Sequence, residues 1–188
     1  MANPTPRGTV GSFPHYLRAV WAITRKDLLA EWRNRQLVIA LLVFSLLVII
    51  IFNFALQLDR FARENVAAGV LWVTFVFAAT LGLNRSFAPE VDRGSLEGLL
   101  LAPVDRSVLF FAKLISSALF MLLVQAIILP VFALLYNLPL FTPMFLLVVA
   151  LGTFGYLAVG TVLSALAVQV RAREVLLPVL LFPIALPL

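Results

Sequence analysis

Cysteine is absent from this chain of 188 residues, and histidine occurs once, at His15. No disulfide, thiolate metal site or thiol nucleophile can form, and a lone histidine cannot build a metal cluster. Charge is also scarce: lysine, arginine, aspartate and glutamate make up 12% of the chain, while 63% is hydrophobic. Soluble domains carry about a quarter charged residues, so too little polar surface exists here to cover a water-soluble globule. The mean hydropathy of +1.07 points the same way. The chain reads as an all-α polytopic membrane protein, because in lipid every backbone polar group must be satisfied within helices or a closed barrel.

Chemistry is missing as well. No GxxxxGK[ST] phosphate loop occurs: Lys26 follows Arg25 and Lys113 follows Ala112. The chain lacks the means to cradle nucleotide phosphates. It has no HExxH pair and no plausible Ser–His–Asp set. No ionisable residue falls in the middle of a complete apolar run, where ion-coupled carriers usually keep one. If the protein does transport work, the energy comes from another polypeptide. The net charge of +5 is a topology signal, not a nucleic-acid signal.

What is present is a series of apolar runs with one long charged interruption. Residues 1–14, with Pro4, Pro6, Gly8, Gly11 and Pro14, read as a disordered tail. Residues 15–35 predict an amphipathic helix. Leu17, Val20, Trp21, Leu28 and Trp32 recur on one side with Thr24 among them, and Lys26 and Arg33 lie opposite. That pattern suits a helix lying in the membrane interface, or a plain extension of the first span. Asp27 and Glu31 sit four apart, in reach of neighbouring bases. The runs 37–58, 67–83, 108–136 and 144–168 predict four spans; the first, at 22 residues, covers roughly 33 Å as a helix. Residues 59–66 and 169–175 read as short loops. Pro130 predicts a kink or break near 126–130. Gly69, Ala78 and Gly82, and Gly152, Gly155, Gly160 and Ser164, read as close-packing positions, Gln125 as an interhelical hydrogen-bonding group, and Asn53 and Gln57 as groups for helix–helix hydrogen bonds or for contact with the interface. The run 176–188 is a partial fifth span, expected to continue in a longer chain. Residues 15–188 form a single transmembrane domain in this reading. Arginine and lysine concentrate on one side of it, which predicts a cytoplasmic N-terminus.

The charged stretch from 84 to 107 is the unusual feature. Gly94 can supply a turn, Leu96, Leu99, Leu100 and Leu101 an apolar face, and Glu97 a charge suited to a helix N-terminus. Pro103 ends that short helix, and Asp105 can cap the next. A surface helix held between two spans suits a lever, and a solvated loop without a partner fits the same residues.

The pattern of Arg85, Phe87, Glu90, Gly94, Ser95, Leu96, Glu97, Leu99, Leu100, Leu101 and Pro103 closely resembles the cytochrome c maturation protein B family, the haem exporter membrane subunit of an ATP-binding-cassette complex. The resemblance extends from about Trp21 to the end, through ALGTFGYLAVGTVLSAL, QVRARE and LLPVLLFPIALPL. It implies a type-2 permease fold and a non-catalytic subunit in the bacterial inner membrane. It further implies an ATPase partner that binds the ATP, other cytochrome c maturation subunits, and self-dimerisation. Arg85, Phe87, Glu90, Gly94, Ser95, Leu96 and Glu97 would be the ATPase-coupling residues, and Trp21, Leu28 and Trp32 would mark the interface helix. Haem is implied as a handled ligand, either transported or released with its chaperone, and not as a bound cofactor. His15, on the predicted cytoplasmic side, is not expected to ligate it. A permease for a lipid, glycan or drug, and a non-transporting scaffold, are the alternatives.

Overall fold

The computed structural model describes residues 13–33, 35–55, 60–86, 106–167 and 173–185. All secondary structure among them is helical. The elements are α1 (Phe13–Arg33), α2 (Arg35–Ala55), α3 (Arg60–Ser86), α4 (Arg106–Tyr136), α5 (Pro143–Ala167) and α6 (Arg173–Ala185). Four segments are long and apolar enough to cross a membrane: Arg35–Ala55, Val66–Asn84, Ser107–Tyr136 and Pro143–Ala167. They match the four expected spans.

Several boundaries differ from expectation. Residues 60–66, expected as a loop, extend α3. Arginine, alanine and glutamate are strong helix formers, so a charged stretch beside a span continues it cheaply once it has reached water. Residues 173–175 join α6 in the same way. Of the kink or break expected near Pro130, the break does not occur, since α4 continues through it. The α4–α5 turn is locally specified. Asn137 takes a left-handed backbone, φ 53°, and the Leu138 amide bonds the Ala133 carbonyl at 3.2 Å. This is the Schellman closure that an asparagine can support. Thr142 caps α5 by accepting from the Phe145 amide at 3.3 Å, with Pro143 at the first helical position, where its missing N–H costs nothing.

Helices α3 and α4 form the centre: α3 touches α2, α4, α5 and α6, and α4 touches α1, α2, α3 and α5. In lipid, packing and hydrogen bonds drive such association, and both are visible. Thr80 and Tyr156 share a hydrogen bond of 2.7 Å, Gln125 Nε2 donates to Thr153 Oγ1 at 2.6 Å, and Ser164 donates to the Leu83 carbonyl at 3.1 Å. Gln125 therefore has the interhelical role expected of it. Asn53 does likewise, donating to the Leu135 carbonyl at 3.2 Å. Trp72 donates to the Ala185 carbonyl at 3.1 Å and pins the end of α6 to α3. The small residues divide. Ala78 is fully buried, Gly160 lies directly against Leu83, and Gly152 lies against Trp72. At Gly69, Gly82 and Gly155 no atom of the described residues lies within 4 Å of the Cβ position, so these three do not pack closely on another described helix.

Candidate functional site

Helix α1 packs chiefly along α4, with a lesser contact on α2. Its inward stripe is Val20, Thr24 and Asp27, all buried, with Glu31 next at helical spacing. Val20 meets Val108 and Ala112 in a small apolar cluster flanked by Tyr16, Ala19, Ile23 and Ile115. Thr24 donates to the Ala112 carbonyl at 3.3 Å. One residue on, Lys113 Nζ lies 3.0 Å from Asp27 Oδ2, with side chains only 4% and 9% exposed. The contact falls outside hydrogen-bond angles, so the attraction there is between charges. Lys26, half-exposed, approaches the other carboxylate oxygen at 3.2 Å.

This corrects the expected helix face. Val20 and Thr24 do not share one surface with Leu17, Trp21 and Trp32. They turn inward, while Trp21 and Trp32 remain 63% and 66% exposed and Leu17 is exposed beside them. Leu28, between the two stripes, packs at the edge of the main core. Asp27 takes an inward position and pairs across to α4 as well as with the neighbouring Lys26. It does so because a base waits there on another helix. A charge cannot be buried alone without a cost of several kcal/mol, and Lys113 and Asp27 offset one another. The signal available in the sequence was a lysine flanked by apolar residues, FFAKLIS, and an acidic pair in step with Val20 and Thr24.

Glu31 extends the cluster into the bundle. With Ala79, Gly82, Leu83, Ser117, Phe120, Met121 and Leu157 it lines a cavity of about 10 Å³, near the lower limit for one water. Its Oε2 is buried without a hydrogen-bond partner among the described residues. Burial, then the Asp27 carboxylate, push its pKa up from 4.5 to about 7, and Lys113 offsets part of this. The folded state thus keeps a proton that the unfolded chain gives up. Stability contributed by Glu31 is complete below pH 4.5 and is lost as pH rises through about 7. Denaturation of the detergent-solubilised chain across that range should show stability falling with pH, and Glu31→Gln should flatten the slope. An unchanged slope would contradict the assignment.

Of the residues expected to couple to an ATPase, Phe87, Glu90, Gly94, Ser95, Leu96 and Glu97 lie outside the described residues, as does Asp105. Arg85 sits in the last turn of α3. The 84–107 stretch nevertheless has fixed ends, because it leaves α3 at Ser86 and enters α4 at Arg106. Both helices contact the cavity that Glu31 lines. His15 is exposed near the start of α1.

Together these features define a class: a multi-pass, all-α membrane protein whose N-terminal helix is joined to its third span by a buried ion pair. Residues 18–188 match the family described as CcmB protein, and the chain belongs to that family. It is similar to the heme exporter protein B of Pseudomonas aeruginosa, 32% identical over 147 residues, with 78% of this chain and 66% of that protein covered. It is also similar to those of Rhodobacter capsulatus, 31% over 147 residues with 78% and 67% covered, and Haemophilus influenzae, 30% over 166 residues with 88% and 75% covered. The match thus spans just under two thirds of the Pseudomonas protein's length.

Proposed function

We infer that this chain is the membrane subunit of a haem-handling exporter in c-type cytochrome assembly, seated in the bacterial inner membrane with its N-terminus in the cytoplasm. The observation that carries this is the family match across 18–188, with relatives named heme exporter protein B. Residues 15–188 act as one transmembrane domain, and a second copy of the chain and other maturation subunits complete the assembly. ATP is hydrolysed on a separate subunit, which docks on the 84–107 stretch through Arg85, Phe87, Glu90, Gly94, Ser95, Leu96 and Glu97. This chain performs no chemistry on a substrate. Its contribution is mechanical: a push on the stretch displaces the ends of α3 and α4 together, since the stretch joins them directly. The type-2 permease architecture, with α1 as interface helix, fits that use. Trp21 and Trp32, exposed on α1, suit the headgroup region, where amphipathic rings settle. Haem is the handled ligand, whether it crosses the membrane or leaves with a chaperone.

The test is genetic and biochemical. Haem-stained gels of a strain lacking the gene for this chain should lose c-type cytochromes. A Glu97→Lys replacement should lose them too while the chain stays in the membrane at normal abundance, because the reversed charge opposes the docking surface. Normal cytochromes in the deletion strain would overturn the haem assignment. Normal cytochromes in Glu97→Lys alone would overturn the docking assignment.

A further inference from the structure

The geometry points to Asp27 and Lys113 as positioning residues that fasten α1 to the first turns of α4, so that the two move as one body when the 84–107 stretch is pushed. The inference rests on the docking role proposed above for that stretch.

Three features of the α1–α4 contact carry it. The apolar part has small side chains at its centre, Val20 against Val108 and Ala112, with Tyr16, Ala19, Ile23 and Ile115 packed around them. Valine and alanine surfaces of this kind fix distance better than register, since one methyl contact replaces another as helices slide. The second part is the Thr24 hydroxyl on the Ala112 carbonyl, a single bond of ordinary strength. The third is the ion pair, which does fix register. Asp27 and Lys113, both buried, meet at 3.0 Å, and sliding α1 by a turn would part them, set Glu31 toward Lys113 in place of Asp27, and leave Asp27 to the half-exposed Lys26. Setting register and uniqueness is the best-attested use of buried polar groups.

The position of the pair matters as much as its chemistry. Lys113 lies seven residues after Arg106, about 10 Å along the helix axis at 1.5 Å per residue. A displacement entering α4 from the stretch therefore reaches Lys113 within two turns. Asp27 sits six residues before the end of α1 at Arg33, beyond which α2 begins at Arg35. The pair thus offers a second route into the bundle, from the stretch through α4 and α1 to α2, beside the direct route through α3. Without it, α1 would be held by its apolar contact and one hydroxyl, and motion of α4 would slip past.

The absence of native cysteine makes spin labelling clean. Arg25, Phe111 and Leu166 are exposed on α1, α4 and α5. In the assembled complex with its ATP-hydrolysing subunit, two labelled pairs are measured with and without trapped nucleotide. The Arg25→Cys/Phe111→Cys distance should stay narrow and unchanged, while Arg25→Cys/Leu166→Cys should shift. Asp27→Asn should broaden the first distance on trapping and lose cytochrome assembly while ATPase binding is retained. The charge exchange Asp27→Lys/Lys113→Asp should narrow the distance again and recover assembly. Where Asp27→Asn fails to reach the membrane, the exchange variant decides alone: assembled but uncoupled, it overturns the proposal. A wild-type Arg25–Phe111 distance that changes on trapping, or a coupled and narrow Asp27→Asn, overturns the fastening by itself. A wild-type Arg25–Leu166 distance that never shifts sinks the docking role and the fastening with it.

Discussion

Lys113→Met is expected to destabilise the chain by about 3–5 kcal/mol, the usual cost of stranding one partner of a buried ion pair. Methionine fills the space of the lysine stem, so the loss is electrostatic. Asp27, on a side chain 9% exposed, would retain only the half-exposed Lys26 at 3.2 Å. Glu31 would lose the one neighbour that lowers its pKa, and its titration should move above about 7. Glu31 would then favour its protonated form further, and stability would fall more steeply as pH rises. Adding Asp27→Leu should recover most of the loss, because a buried pair replaced by packed apolar groups is often neutral or better. Unfolding of purified protein in mixed detergent, monitored by helical circular dichroism, reads both effects. A Lys113→Met chain as stable as wild type would mean that the pair is not buried in the membrane-bound protein.

Gly160→Val is expected to be the second most damaging change, at about 1–3 kcal/mol or somewhat more. A Cβ at this position would collide with Leu83 Cδ1 and approach Leu181 Cδ2 at 3.7 Å. Leu83 is 1% exposed, and its own carbonyl accepts the Ser164 hydroxyl at 3.1 Å. The cavity that Leu83 lines, about 10 Å³, is too small to take the displaced side chain, so α3 and α5 must separate. Separation also strains the Thr80–Tyr156 hydrogen bond on the same interface. Gly155→Val is the matched control: nothing lies within 4 Å of its Cβ position, and it should be near neutral. Thermal aggregation of the two variants in detergent should separate them clearly, and equal midpoints would contradict the close approach.

The contrast between those two glycines shows what the sequence could and could not disclose. Small residues at helical spacing mark an interface face in general, yet only contacts from other helices decide which of them is filled. The four spans were legible because span length is set by the bilayer and apolar runs of that length have few other uses. The α4–α5 turn was legible as an uncharged turn, and Asn137 and Thr142 are residue types whose side chains favour ending and starting helices. The buried cluster was not legible. Asp27 and Glu31 stand in step with Val20 and Thr24 but read as pairing with neighbouring bases on their own helix, and their partner Lys113 lies far along the chain at the start of a span, where a lysine normally faces water. Long-range pairing of this kind leaves no periodic trace. For the residues proposed to couple to the ATPase, the sequence pattern marks the stretch, and the fold adds which helices receive its ends.

The most direct measurement is the ATP hydrolysis rate of the cognate ATPase subunit reconstituted in liposomes with and without this chain. Wild-type chain should raise the rate, and Glu97→Lys, inserted at equal density, should return it to that of the ATPase alone. A rate that Glu97→Lys raises as fully as wild type would contradict the claim that the 84–107 stretch is where the ATPase engages this protein.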